Sequence, residues 1–252
     1  MDDFTPVIHE LEGRDIKVYG VADVHIGARE CDLDGFRAFL KRIEHDPDAY
    51  LCLVGDITNN GIKDSVTNVY EETMPPSAQV ELAAELLAPV KDRILGAVGG
   101  NHEHRSARAV NYDPMYDVMV RLGIPHLYRQ SLCFIRVIMR RSTCHEHYAI
   151  LLAHGSSDAK RQRFDAVVEG VDATITAHVH KGDVQKPCRI VFNNRNKVVI
   201  RPHVSLVCEP WLKYGGYAAR SMLLPHETSN PQHLVLEYVH DNNKRGNIRV
   251  VW

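Results

Sequence analysis

The chain lacks a long hydrophobic run. Nowhere in its 252 residues do apolar side chains approach the roughly 18 in succession that a membrane-spanning helix needs, so no membrane partner is expected. The first residues, Met1-Asp2-Asp3-Phe4, put no basic stretch ahead of an apolar one, and no secretory leader is expected. No two of the 6 cysteines, at positions 31, 52, 133, 144, 188 and 208, are spaced C-x-x-C, which argues against a zinc knuckle or a redox dithiol. Cys52 and Cys133 lie in apolar, strand-like runs, where a thiol behaves as a small hydrophobe. Reduced cysteines in a cytoplasmic protein are the expectation. A charge excess of either sign is also missing: 30 Lys and Arg stand against 32 Asp and Glu, net −2. That balance argues against coating nucleic acid by bulk charge and leaves a local basic groove open. Neither a G-x-S-x-G elbow nor a Walker A lysine loop occurs, so serine-hydrolase and P-loop chemistry fall away.

What is present is an ordinary globular composition, 44% apolar and 25% charged, long enough to bury a core without staples. Ile16 to Val21 reads as a strand. Phe36, Phe39, Leu40 and Ile43 fall at i, i+3, i+4, i+7 and predict a helix, with Asp32 or Asp34 as its cap. The unbroken apolar run Tyr50 to Val54 predicts a strand buried on both faces. Pro75-Pro76-Ser77 opens a helix with Ala83, Leu86, Leu87 and Val90 on one face, ended or kinked by Pro89. Ile94 to Val98 is a third strand. Asp113-Pro114 starts a helix faced by Met115, Val118, Met119 and Leu122, and Gly123 stops it. Beyond it, Leu132 to Met139 and Tyr148 to Ala153 predict a hairpin. Ser157 to Val168 predicts a short basic helix, and Ala173 to Thr176 another strand. Val191 and Val198 flank a turn at Asn193 to Asn196, and His233 to Tyr238 with Asn247 to Val251 form a last hairpin around Asn242 to Gly246. With no repeat, low-complexity tract or linker, one domain over 1–252 is expected: a motif-bearing part, 16–181, with a parallel sheet under helices, then a strand-rich part, 182–252.

The excess is in histidine, 15 residues. Five of the expected strands end in metal-capable residues: Asp23-Val24-His25, Gly55-Asp56, Gly100-Asn101-His102-Glu103, His154-Gly155 and His178-Val179-His180. Ligands in α/β sheets bind beyond the carboxyl ends of the strands. Convergence of these ends would gather Asp23, His25, Asp56, Asn101, His154, His178 and His180. Carboxylates mixed with imidazoles suit Mn, Fe or Zn better than Ca or Mg.

D-x-H, G-D, G-N-H-E, H and H-x-H, in that order, resemble the calcineurin-like metallophosphoesterases. The resemblance implies an α/β fold, a four-layer α/β/β/α sandwich of two mixed sheets flanked by helices. It implies two divalent ions, Mn2+ foremost with Fe or Zn as alternatives. One would be held by Asp23, His25, Asp56 and His180, the other by Asp56, Asn101, His154 and His178, with Asp56 bridging. His102 matches the family's catalytic histidine, assisting the leaving group while water between the metals attacks phosphorus in line. Ala177 stands where the family usually has Gly. His104, two residues past His102, is the one further histidine to watch. Glu103 is expected to orient its loop.

The substrate class is less sharply marked. Asp23-Val24-His25-Ile26-Gly27 resembles the start of the Mre11/SbcD-type nucleases, while Glu103 is the residue found in Ser/Thr protein phosphatases. Gly55-Asp56-Ile57-Thr58-Asn59-Asn60 lacks the D-R-G continuation of those phosphatases. A phosphodiester substrate is favoured, with DNA and other nucleic acid among the candidates. The alternatives are a phosphomonoesterase or Ser/Thr-type protein phosphatase, and a non-catalytic, metal-bound platform for partners. Arg105, Arg108 and Asn59 are the candidate substrate contacts. Lys160-Arg161-Gln162-Arg163 and Arg140-Arg141 are expected to be solvated. The long Asn59 to Pro76 segment is expected to shape specificity.

Overall fold

The computed structural model describes residues 3–63, 65, 69–141, 144–192, 196–215, 219, 231–238 and 247–251. The first part of the chain forms β1 (Val7–Glu12), β2 (Asp15–Val21), α1 (Leu33–His45), β3 (Ala49–Val54), α2 (Pro76–Leu87), β4 (Ile94–Val98), α3 (Glu103–Val110), α4 (Pro114–Arg121) and β5 (Tyr128–Arg129). There follow β6 (Leu132–Arg141), β7 (Cys144–Ala153), α5 (Asp158–Val167), β8 (Ala173–Thr176), β9 (Asp183–Gln185), β10 (Cys188–Phe192), β11 (Val198–Pro202), β12 (Val204–Val207), β13 (His233–Glu237) and β14 (Asn247–Val251).

Helix boundaries follow local chemistry. Of the two caps open to α1, Asp32 is used: its carboxylate accepts from the Gly35 N–H at 3.3 Å, and Phe36, Phe39, Leu40 and Ile43 are the buried face. Asp113 caps α4 through the Tyr116 N–H at 3.1 Å. The helix α2 ends at Leu87, and the chain continues as a 3-10 turn over Ala88–Arg93 that still buries Val90.

The strands form two mixed six-stranded sheets, ordered β1-β6-β7-β8-β12-β9 and β14-β13-β2-β3-β4-β5, with β10 and β11 as a separate ribbon. From β2 to β5 all pairings are parallel, as the unbroken apolar runs predict. The sheets pack face to face through β3 and β4 against β6 and β7, burying Cys52, Cys133, Ile135, Val137, Ile150 and Leu152 between them. The helices α1, α2 and α4 pack together on the β2–β5 sheet, and α5 lies against the other. This is the expected mixed α/β architecture.

Three features depart from the sequence reading or extend it. The first is Arg161, expected in a solvated basic run. It is 6% exposed because α5 docks by polar contacts. Its guanidinium donates to Ser205 Oγ at 3.0 Å and Asp183 Oδ2 at 3.2 Å. Asp165, one turn on, accepts from Ser205 and Thr174. The second is β12, four fully buried residues between β8 and β9, too short for a periodicity to register; β1, β5 and β9 also lie outside the sequence reading. The third is the stretch after His180. Besides β9–β14 it supplies Trp211, whose N–H donates to the Asp23 carbonyl at 3.0 Å and whose carbonyl accepts from the Asp32 N–H at 2.8 Å. The turns expected at Asn242 to Gly246 and at Asn193 to Arg195 lie outside the described residues, as does the 142–143 turn of the β6–β7 hairpin.

The Trp211 ring is 1% exposed and packs on Phe36 and Phe39, with centroids 5.3 and 4.9 Å away. Truncation leaves a cavity between α1 and the Asp23 loop. Trp211→Ala should lower unfolding free energy by about 3–5 kcal/mol, read from urea denaturation; a change below about 1 kcal/mol would refute this packing.

Candidate metal centre

Every expected metal-capable residue sits just beyond the carboxyl end of a strand. Asp23 and His25 follow β2, Asp56 follows β3, Asn101 follows β4, His154 follows β7, and His178 and His180 follow β8. The first three strands belong to one sheet and the last two to the other, so the site spans the end of the sandwich. Asp23, His25, Asp56 and His180 each have φ of 51°, and His178 has 78°. The left-handed region costs an L-residue roughly 1–2 kcal/mol, so these side chains are aimed by strained backbone. Neighbouring loops hold the strain. Asp23 and His25 N–H groups donate to the Gly55 and Asp56 carbonyls at 3.1 and 3.0 Å, and Asn59 N–H returns to Ile26 O at 2.9 Å. Gly100 lets the third loop close on the second: a Cβ there would stand 2.1 Å from Asp56 Oδ1.

The donor atoms converge. His154 Nε2 lies 3.3 Å from Asp56 Oδ2, and the Nε2 atoms of His25 and His102 lie 3.9 and 3.8 Å from it. His180 Nε2 is 3.4 Å from Asp23 Oδ1 and 3.1 Å from His25 Nε2. Asn101 Oδ1 sits between His154 Nε2, at 3.0 Å, and His178 Nδ1, at 2.7 Å. Three overlapping groups result: Asp23, His25 and His180; His25, Asp56 and His102; Asp56, His154 and His178.

Partners on the far side of each ring set the tautomers. The His154 Nδ1–H donates to Val54 O at 2.7 Å, that of His25 to Asn59 Oδ1 at 3.2 Å, and that of His102 to Asn59 O at 2.7 Å. All three Nε2 atoms therefore face the cluster. Burial and the neighbouring His102 push His25 down to about 3, so its Nε2 carries a lone pair. Burial alone would raise Asp56, but His154, with His102 and His25 around it, holds its carboxyl well below the usual range. Burial disfavours charge on His154, yet Asp56 and Asp23 overcome it and push the ring up to about 10. Two buried carboxylates among imidazoles thus create a demand for positive charge.

The donor set fits metal ions. Asp23 Oδ1 is buried without a hydrogen-bond partner, an arrangement that ordinarily costs free energy and that a cation relieves. Its other oxygen takes the His178 N–H at 3.0 Å, which leaves Oδ1 facing the cluster. Imidazole nitrogens with carboxylate oxygens are donors for two such ions.

Glu103 has the structural role expected of it. Fully buried, it accepts from the N–H groups of Asp56, Thr58 and Gly100, each at 2.9 Å, and from Thr58 Oγ1 at 3.1 Å. Burial and Asp56 push it up to about 7 against those donors. His104 turns away: its Nε2 is buried near Gly99. The Arg105 guanidinium donates to His102 Nε2 at 2.9 Å. Arg108 is exposed on α3. Asn59, expected to meet substrate, uses its side chain internally, with Oδ1 on His25 and Nδ2 on Glu72 Oε1 at 2.5 Å. The sequence reading missed Asn60, Glu72 and Gln79, which tie these loops together; Asn60 Nδ2 donates to His102 O at 2.7 Å. Their polar side chains, in the long loop and in the first turn of α2, were the signal for them.

The model of the calcineurin-like phosphoesterase family matches residues 16–182. Among solved structures, the chain resembles the calcineurin-like phosphoesterase YfkN from Bacillus subtilis, at 11% identity and TM-score 0.44, over 93% of this chain and 90% of that one. It also resembles a metallophosphoesterase from Sphaerobacter thermophilus, at 13% and 0.40, over 94% and 89%. A third is the NAD nucleotidase NadN from Haemophilus influenzae, at 9% and 0.46, over 93% and 49%. No curated protein matches the sequence.

Above about pH 7, where Glu103 is ionised, Glu103→Gln replaces an oxygen that only accepts with an amide that donates, and it confronts donors. Hydrogen bonds to a charged group contribute about 1.5–3 kcal/mol each, so the variant should lose about that much stability or more, and chemical denaturation measures it. Unchanged stability would show that the four contacts do not hold the loops.

Proposed function

The chain belongs to the calcineurin-like phosphoesterases and is a metal-dependent phosphoester hydrolase; on that premise we propose that it cleaves phosphodiesters. In this reading Asp23, His25, Asp56 and His180 hold one ion, and Asp56, Asn101, His154 and His178 the other. Manganese is the proposed metal, with iron or zinc also suited to this donor set. The ions supply Lewis-acid activation of the phosphoryl group and of water. The protein's share is orientation and proton transfer. His102, with Nδ1–H fixed on Asn59 O, presents Nε2 to the leaving oxygen. Burial and Arg105 lower its proton affinity, against Asp56. A phosphoryl anion beside it raises that affinity and draws Arg105 onto its own oxygens, freeing Nε2 to donate.

The observation that carries the diesterase preference is Asn60. It follows Asn59 where the D-R-G branch has its arginine. Here the side chain is neutral and 1% exposed, with Nδ2 on His102 O and Oδ1 accepting from Ser106 Oγ at 3.0 Å. A monoester presents up to two charges on free oxygens, a diester one. Among the described residues Arg105 is the one arginine hydrogen-bonded to His102, which suits the single charge. Glu103, the residue type found in the Ser/Thr protein phosphatases, supports the alternative of a protein phosphatase, although it is buried under its own loops and does not itself meet substrate. Retention of every expected ligand and of His102 supports an enzyme over a non-catalytic platform. Nucleic acid is one diester of this class. The free cysteines among the described residues support a cytoplasmic setting. No helix among those residues is long and apolar enough to cross a membrane.

Two measurements test the reading. With metal content determined on the same sample, a bis-aryl phosphodiester should turn over faster than its mono-aryl counterpart, and faster monoester cleavage overturns the preference. His102→Ala should keep its metal and lose about 10²–10⁴ in rate, less on an activated aryl leaving group that departs without a proton. The second measurement is elemental analysis of Asp56→Asn. Occupancy of both ions should fall and turnover should vanish; two full equivalents with a normal rate would refute Asp56 as the bridge.

A further inference from the structure

The loop after β3 reaches back into the site through one carboxylate. Glu72, half-buried, accepts from Asn59 Nδ2 on Oε1 at 2.5 Å and from Gln79 Nε2 on Oε2 at 2.6 Å. Gln79, fully buried on α2, returns its oxygen to the Asn60 N–H at 2.7 Å. The next residue, Thr73, clamps the same segment to the first metal loop: its N–H and hydroxyl both donate to Gly27 O, at 2.8 and 3.0 Å. Asn59 is therefore held from both ends. Its amide donates to Glu72, which turns its oxygen toward His25 Nδ1.

An amide has no preferred way round, so something must decide which end faces His25. If Asn59 flipped, its NH2 would meet the His25 N–H, and the ring would have to turn or shift its proton from Nδ1 to Nε2. The lone pair would then leave the cluster. A carboxylate can only accept, so Glu72 forces the amide to donate to it. The correct tautomer of His25 follows.

We propose that Glu72 is a positioning residue for the first metal site, fixing through Asn59 the tautomer and aim of His25. The proposal rests on His25 being a ligand. Outer partners of ligating histidines fix ring orientation, and their loss costs about 10–100-fold in metal affinity. The cost should fall on one ion, because the outer nitrogen of His154, on the second ion, is held by Val54 O and not by the Asn59–Glu72 pair.

The test is Mn2+ binding to apoprotein by calorimetry, with thermal unfolding of the same apoproteins. Glu72→Ala should weaken one of the two binding steps by about 10–100-fold and leave the other unchanged. Asn59→Ala should do the same, and adding Glu72→Ala to it should cost nothing more, since the two act in series. Glu72→Gln, which can still accept from Asn59, should lie between wild type and Glu72→Ala, and it carries the test should the alanine variant fail to fold. Wild-type affinity in Glu72→Ala, equal weakening of both steps, or additive losses in the double variant would overturn the proposal. His25→Ala separates the premise from the inference. If it binds both ions normally, the ligand reading fails; if it loses one while Glu72→Ala loses none, the relay alone fails.

Discussion

The structure depends on a carboxylate buried where two sheets end. Asp56 is 1% exposed, with one oxygen on the His102 N–H at 2.8 Å and the other facing three imidazole nitrogens. An ionised carboxylate in such a place is tolerable only among donors and cations. Strands from both sheets deliver them, and that requirement sets how the loops are built. Left-handed backbone at Asp23, His25 and Asp56 is the conformational cost of aiming side chains inward, and inter-loop hydrogen bonds offset it. Strain of this kind persists where the surroundings over-determine the backbone. Here Glu103 below and Asn59 and Asn60 above do so.

The first half of the fold was legible because its elements are regular and punctuated. Unbroken apolar runs marked β3 and β4, and Asp32 and Asp113 marked helix starts. The site was legible for a related reason. Parallel strands aim their carboxyl ends one way, so short motifs after successive strands meet in space without any long-range inference. What the sequence concealed lies where contact is non-local and polar. Arg161 sits in a run that looks solvated, and only β12, some forty residues on, provides the Ser205 that makes burial acceptable. Trp211 shows its purpose only once its backbone is seen against the Asp23 loop. Glu72 and Gln79 sit in or beside a segment whose irregularity hid that its polar side chains face one another.

Four carboxylates around the site illustrate how structure resolves what residue type cannot. Asp23, Asp56, Glu72 and Glu103 are all acceptors of the same kind, and burial does not sort the first two from the last. The count of satisfied oxygens does. Both Glu103 oxygens are occupied by N–H and O–H groups of its own loops, so it has nothing left to offer and is structural. Both Glu72 oxygens take side-chain amides, so it orients but does not bind. Asp23 keeps one oxygen without a hydrogen bond, and Asp56 turns one toward the imidazole nitrogens of His25, His102 and His154. These two are the carboxylates that face the imidazole nitrogens of the centre. The same accounting separates the histidines. His25, His102 and His154 spend Nδ1 on protein oxygens and keep Nε2 for the centre, whereas His104 points its Nε2 into the protein. The assignment of the centre to Asp23 and Asp56 therefore rests on lone pairs as well as on motif order, and these two arguments are independent.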